Sequence, residues 1–110
     1  MDKLRIVLCT FPDAVSARQV ARELVEKKLA ACVNLIPAVE SIYRWEGKTE
    51  TAAEVMAVCK TSVETYPEFA AALAAAHPYE VPEIVALEPC AVADPYGEWC
   101  LENLAGSARA

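Results

Sequence analysis

Six residues near the start of this 110-residue chain, Leu4-Arg5-Ile6-Val7-Leu8-Cys9, constrain its fold more than any other feature. The run is short, partly β-branched and nearly all apolar, as a buried strand is. Successive strand side chains point to opposite faces. Leu4, Ile6 and Leu8 therefore line one face and Val7 and Cys9 the other, and both are apolar. The same holds for Glu54–Thr61, where Val55, Ala57 and Cys59 oppose Met56, Val58 and Lys60, and for the short run Ile84–Leu87. A sheet built from such strands needs cover on both sides.

The intervening segments say what one of those covers is. Pro12 and Asp13 stop the first strand, and Asp13 can accept a hydrogen bond from an orphan amide of a first helical turn. Val15, Val20, Ala21, Leu24, Val25 and Leu29 then recur at helical spacing, with charged residues between them. They predict an amphipathic helix ending near Leu29. Ala31–Ile36 is a second apolar strand. Pro37 cannot donate to a ladder and predicts a bulge or an edge there. The strand resumes over Val39–Trp45, with Ser41, Tyr43 and Trp45 on one face and Ile42 and Arg44 on the other. The turn signal Glu46-Gly47-Lys48 joins it to Glu54–Thr61 as a long hairpin. Thr61 with Glu64 and Thr65 with Glu68 both fit a capping box for the next helix. That helix runs through Phe69 and a string of alanines to about Ala76, before Pro78. After the loop His77–Glu83 and the short strand, Asp94-Pro95 supplies an N-cap and a first-position proline. A C-terminal helix carrying Trp99, Leu101 and Leu104 follows, and Gly106–Ala110 are expected to fray.

Strand, helix, strand, strand, helix, strand and an extra helix is the order of an α+β, ferredoxin-like βαββαβ sandwich. In it both main helices lie on one face of a four-stranded antiparallel sheet, and residues 1–110 form a single domain. The helices cannot cover the second face, which exceeds the apolar patch a monomer tolerates. Copies of the chain are the predicted cover, with the long hairpin as a natural tool for pairing between subunits.

Charge and cysteine content exclude several roles. Sixteen acidic against ten basic residues leave a net charge of −6, and no basic stripe offers itself to a phosphate backbone. No apolar run approaches a membrane span, and Ile6–Cys9 is too short for a signal-peptide core. A cytoplasmic protein that neither binds nucleic acid nor inserts into a membrane is expected. The five cysteines have neither CxxC nor zinc-knuckle spacing and read as reduced, buried thiols. Three glycines make no phosphate loop.

The single histidine, His77, follows the second helix. Two readings stand: a surface imidazole favoured by the helix C-terminal dipole, or a functional group. Cys9 is the thiol placed to approach it, just before a helix start where thiolate is favoured. Together they form a fragment of a soft-metal site suited to copper(I), and a neighbouring subunit could complete it. Glu46, Glu50, Glu54, Glu80 and Glu83 read as a solvated rim. Tyr43, Trp45, Tyr79, Tyr96 and Trp99 read as core or interface anchors, or as the lining of a pocket at a subunit junction. No GxSxG turn or similar nucleophile context is present.

Three blocks carry a resemblance. Leu29-Ala30-Ala31-Cys32-Val33-Asn34, Ser41-Ile42-Tyr43-Arg44-Trp45-Glu46-Gly47-Lys48 and His77-Pro78-Tyr79-Glu80-Val81-Pro82-Glu83-Ile84 closely resemble the CutA divalent-cation tolerance proteins. The match runs from about Leu4 to Leu104. It includes Leu8-Cys9-Thr10-Phe11-Pro12-Asp13, the Lys60-Thr61 pair and Tyr96-x-x-Trp99. The resemblance implies a ferredoxin-like homotrimer with hairpins reaching across subunits, a cytoplasmic location, no catalytic activity, and a link to tolerance of copper and other divalent metals. It also implies copper ligands at a Cys and two adjacent His positions. These fall on Cys9, on His77 and on residue 76, which is Ala76 here and removes one ligand.

The expected function is therefore a non-enzymatic trimer of divalent-metal tolerance or response, with Cys9 and His77 as metal ligands and no obligatory cofactor. The alternative is a small-molecule-binding signalling or scaffold trimer using an inter-subunit pocket at Tyr43, Trp45, Lys60 and Tyr79. An acylphosphatase-like enzyme ranks last, because Thr10-Phe11-Pro12-Asp13 offers an acid where that chemistry needs an arginine.

Overall fold

The structure, a computed structural model, describes residues 3–105. The expected fraying of Gly106–Ala110 lies outside the described residues. The elements are β1 (Leu4–Phe11), α1 (Ala14–Glu26), β2 (Cys32–Trp45), β3 (Lys48–Ser62), α2 (Tyr66–Ala76), β4 (Val85–Leu87) and α3 (Asp94–Glu102). The sheet order is β2-β3-β1-β4, with every pairing antiparallel. This is the βαββαβ arrangement with a helix appended.

Directly paired residues share a face, so the register sorts the side chains. Val7 pairs Cys59, Cys9 pairs Ala57, and Phe11 pairs Val55. These residues meet Ala17, Val20 and Leu24 of α1 and Phe69 and Leu73 of α2 in the main core. The opposite face carries Ile6, Leu8, Ile36, Met56, Val58, Val85 and Leu87. Only one end of it is covered. There α3 packs Cys100 and Leu101 on Leu4 and Ala31, with Leu104 just beyond the helix. Ile36, Val85 and Leu87 remain about 45% exposed. The sequence expectation of a sheet greasy on both sides and covered on one holds.

Beyond Phe11 the sheet has no β1 neighbour, and Val39–Glu54 form a ribbon in which β2 and β3 pair only with each other. The ribbon stretches the molecule to 47 × 26 × 22 Å. Its tip is a two-residue turn at Glu46 (φ 50°) and Gly47 (φ 81°), joining the paired residues Trp45 and Lys48. Both central residues take left-handed φ, as a turn matched to strand twist requires. Ile42 (68% exposed) and Trp45 (57%) sit on this ribbon without cover. A free two-stranded ribbon is marginal in water.

The local signals fare unevenly. Pro37 does mark a bulge on an edge strand, between Ile36 and Val39. Asp13 does cap α1, its carboxylate accepting the Ser16 amide at 2.8 Å. Three expectations need correction. Helix α1 ends at Glu26 rather than Leu29, because Lys28 turns left-handed (φ 61°) and the Leu29 and Ala30 amides fold back onto the Leu24 carbonyl. Neither capping box forms: Thr61 lies within β3, and Thr65 holds the N-cap position of α2 but makes no side-chain cap hydrogen bond. Thr61 Oγ1 donates to the Leu29 carbonyl at 2.8 Å and Thr65 Oγ1 to the Ala105 carbonyl at 2.8 Å. Finally, Ala93 rather than Asp94 holds the cap position of α3, so Asp94 and Pro95 lie within its first turn.

Candidate functional site

The loop after α2 wraps around the end of β1 and joins the two sides of the sheet. His77 opens it and is not a surface residue. Only 8% exposed, it contradicts the helix-dipole reading. Its Nδ1 accepts the Tyr79 amide at 3.0 Å, which fixes the tautomer. Nε2 then carries the proton and donates to the Thr10 carbonyl at 2.8 Å. Phe11 stacks on the ring at a centroid distance of 4.4 Å, with Tyr79 at 4.9 Å on a tilt. Burial holds the imidazole below its usual pKa, against the Thr10 bond and the Glu54 charge. His77 is therefore a neutral clasp with both nitrogens occupied.

Cys9 lies on the same helix-covered side, two residues before Phe11 and fully buried. The expected thiolate character is overturned. Burial first, then the neighbouring Cys59, Glu83 and Glu54, push the thiol up to about 12. The α1 N-terminus cannot offset desolvation of that size. Among the described residues no three His, Cys, Asp or Glu side chains gather as a metal cluster.

Tyr79 leads from the clasp to the opposite face. Its hydroxyl donates to Glu54 Oε2 at 2.6 Å, and burial together with Glu54 raises its pKa. Here a cleft of about 700 Å³ opens, lined by Thr10, Ser41, Ile42, Tyr43, Trp45, Glu54 and the stretch Tyr79–Glu83 without Pro82. Of the four residues expected at an inter-subunit pocket, Tyr43, Trp45 and Tyr79 line this cleft of the single chain. Lys60 does not. It pairs with Cys32 and Ile6, donates to Asn34 Oδ1 and lies six residues along β3 from Glu54, about 20 Å at strand rise. Sequence reasoning missed Thr10 and placed Glu54 on a solvated rim. The signal was present in parity: Glu54 shares its sheet face with Thr10, Ser41 and Tyr43. That inference needed the register, which the bulge shifts.

The fold agrees with that of known proteins. A family model described as CutA1 divalent ion tolerance protein matches residues 5–103. The chain belongs to the CutA1 family. The divalent-cation tolerance protein CutA of Thermus thermophilus is 43% identical over 98 residues, 89% of this chain and 95% of that one. A solved structure of the Thermus thermophilus protein superposes with a TM-score of 0.89 at 42% identity, covering 92% of this chain and 98% of that chain. The CutA structure from Archaeoglobus fulgidus, described as a periplasmic divalent cation tolerance protein, gives 0.87 at 34% identity, over 91% and 97%. The chain spans about half the length of the mouse, human and Arabidopsis thaliana CutA proteins it also matches. CutA1 is a family named for tolerance of divalent ions rather than for a reaction.

Proposed function

We propose that the chain acts as a homotrimer in divalent-cation tolerance, without catalysing a reaction, in the cytoplasm. The observation that carries the assembly is the sheet face opposite α1 and α2. Ile6, Leu8, Met56 and Val58 at its centre are only half-buried, while Ile36, Val85 and Leu87 stand about 45% exposed. Burying several hundred Å² of such surface is worth roughly 25 cal/mol per Å² before association costs. The uncovered ribbon with Ile42 and Trp45 calls for the same remedy. The non-catalytic part is supported by the chemistry of the side chains: the histidine is committed at both nitrogens, and Cys9 and Cys59 hold their protons. All five cysteines are free, in keeping with a reducing compartment.

Within this reading Cys9 and His77 are the proposed copper ligands. Ligation has a defined cost, because the thiol must lose its proton and the imidazole must release the Thr10 carbonyl or the Tyr79 amide. Titration of copper(I) into wild type, Cys9→Ser and His77→Ala tests the pair. Loss of a stoichiometric site in both variants supports it, and equal affinity in all three removes it.

A second reading is favoured by the cleft. Its volume falls within the range of about 300–1,000 Å³ typical of small-molecule sites, and its lining mixes aromatic rings with fixed polar groups. Occupation of this cleft by a small molecule would make the trimer a sensor or scaffold.

A further inference from the structure

We propose that Cys32 and Cys100 are a reversible dithiol–disulfide pair, oxidised by a small-molecule disulfide to a bond that staples α3 to the edge strand β2. This goes beyond the metal and cleft readings. Every group it uses belongs to one chain, at the end of the second sheet face that α3 itself covers.

The fold brings the two thiols together from opposite ends of the chain. Cys32 is the first residue of β2, on the edge of the sheet, and pairs with Lys60, which pairs in turn with Ile6. These three share the face on which α3 lies. Cys100 is fully buried in the cluster that also holds Ala31, the residue before Cys32. Tyr96 precedes Cys100 by one helical turn and so shares its side of α3. The Tyr96 hydroxyl hydrogen-bonds the sulfurs of both Cys100 and Cys32. Its ring is held by Trp99, with centroids 5.8 Å apart. Two sulfurs that share one hydroxyl are neighbours across the boundary between α3 and β2. The other buried thiols are separated from Cys100 by the sheet. Cys59 pairs with Val33, so it points to the face under α1 and α2, and Cys9 lies there too.

Burial divides the labour between the two thiols. Cys32 is half-buried and is reached first from outside. Burial raises the pKa of Cys100, while the Tyr96 hydrogen bond and the Lys60 charge act the other way and steady its thiolate as it forms. In the first step the Cys32 thiolate attacks one sulfur of the small disulfide, and the other half leaves as a thiolate that takes a proton from water. Cys100 then gives up its proton and attacks the Cys32 sulfur, expelling the second half as a thiol. Two cysteine thiols are oxidised by two electrons to one disulfide, and the small disulfide is reduced to two thiols. The bond ties residue 32 to residue 100, which restricts the unfolded chain and fixes α3 over the sheet.

The test uses the assembled protein with Cys90→Ser, which removes an exposed thiol. The reduced protein is incubated with glutathione disulfide and followed by intact mass, non-reducing gels and peptide mapping. The expected product is a chain lighter by two hydrogen atoms, with the Cys32 and Cys100 peptides joined within one chain. It should return to the dithiol with dithiothreitol, and its urea midpoint should lie above that of the reduced form. Adding Cys100→Ala should leave one glutathione on Cys32, because the resolving thiol is gone. Adding Cys32→Ala should leave Cys100 reacting about tenfold or more slowly, as a fully buried thiol does. Each variant is first checked for unchanged solution mass, and where one fails to fold the peptide map of the parent decides. A stable glutathione adduct on Cys32 while Cys100 is present would overturn the pair. So would a bond to Cys9 or Cys59, a bond between chains, or no reaction at all.

Discussion

Replacing His77 with alanine tests the clasp that holds the site together. The substitution strips the Thr10 carbonyl of its imidazole donor at 2.8 Å, leaving only the weak Cys9 thiol contact at 3.9 Å, and Thr10 is only 5% exposed. A buried group left unpaired costs about 1–3 kcal/mol. The Tyr79 amide loses its acceptor at 3.0 Å, but Tyr79 is half-buried and water can reach it, so about 0.5–1 kcal/mol follows. Loss of the 4.4 Å stack on Phe11 adds about 0.5–1.5 kcal/mol. The sum is about 2–5 kcal/mol of destabilisation. His77→Gln places an amide nitrogen near the position of Nε2 and should recover part of the Thr10 bond, about 1 kcal/mol. Urea unfolding at one fixed protein concentration, with both variants beside wild type, measures this. A loss below 1 kcal/mol for alanine, with glutamine no better, would refute the clasp.

Four further outcomes follow from the same structure. Because burial holds His77 below its ordinary pKa, the unfolded chain takes up a proton first as pH falls below about 6.5. Stability should therefore drop from pH 6.5 down through the lower folded value, by at most about 1.4 kcal/mol per pH unit from this group. His77→Gln should lack that component when urea midpoints at pH 7.5 and 5.5 are compared. Leu8→Asp puts a charge at the centre of the uncovered face, opposite Val58 and Val85. It should yield a monomer by light scattering while the far-ultraviolet circular dichroism persists. Phe69→Ala empties a fully buried site between α2 and the sheet and should cost about 3–5 kcal/mol in the same unfolding assay. A disulfide reagent at pH 8 should label exposed Cys90 at once, and Cys9 and Cys59, with thiols near 12, only on unfolding; prompt labelling of Cys9 would contradict its placement.

The strand order, the helices and the unpaired apolar face were legible because they rest on periodicity, which the side chains of Leu4–Cys9 and Glu54–Thr61 carry by themselves. Asp13 and Pro37 were legible because their effects are local. The misjudged features were decided by distant partners. Thr61 looks like a cap but lies within β3, Thr65 holds the cap position of α2 while its hydroxyl donates to the distant Ala105 carbonyl, and nothing near Lys28 announces a left-handed turn that cuts α1 short. His77 looked like a surface cation because it follows the C-terminal end of a helix, where the dipole favours one. Its burial comes from Phe11 and Thr10, more than sixty residues away. Tyr43, Trp45 and Tyr79 could be grouped by type. Glu54 joins them and Lys60 leaves them only once the bulge after Ile36 sets the register of the ribbon.

The central claim is that the second sheet face is closed by copies of the same chain. Light scattering coupled to gel filtration, at micromolar protein, measures it directly. A single species at three times the 11.9 kDa chain mass is the predicted result. A stable, monodisperse species at 11.9 kDa would contradict it.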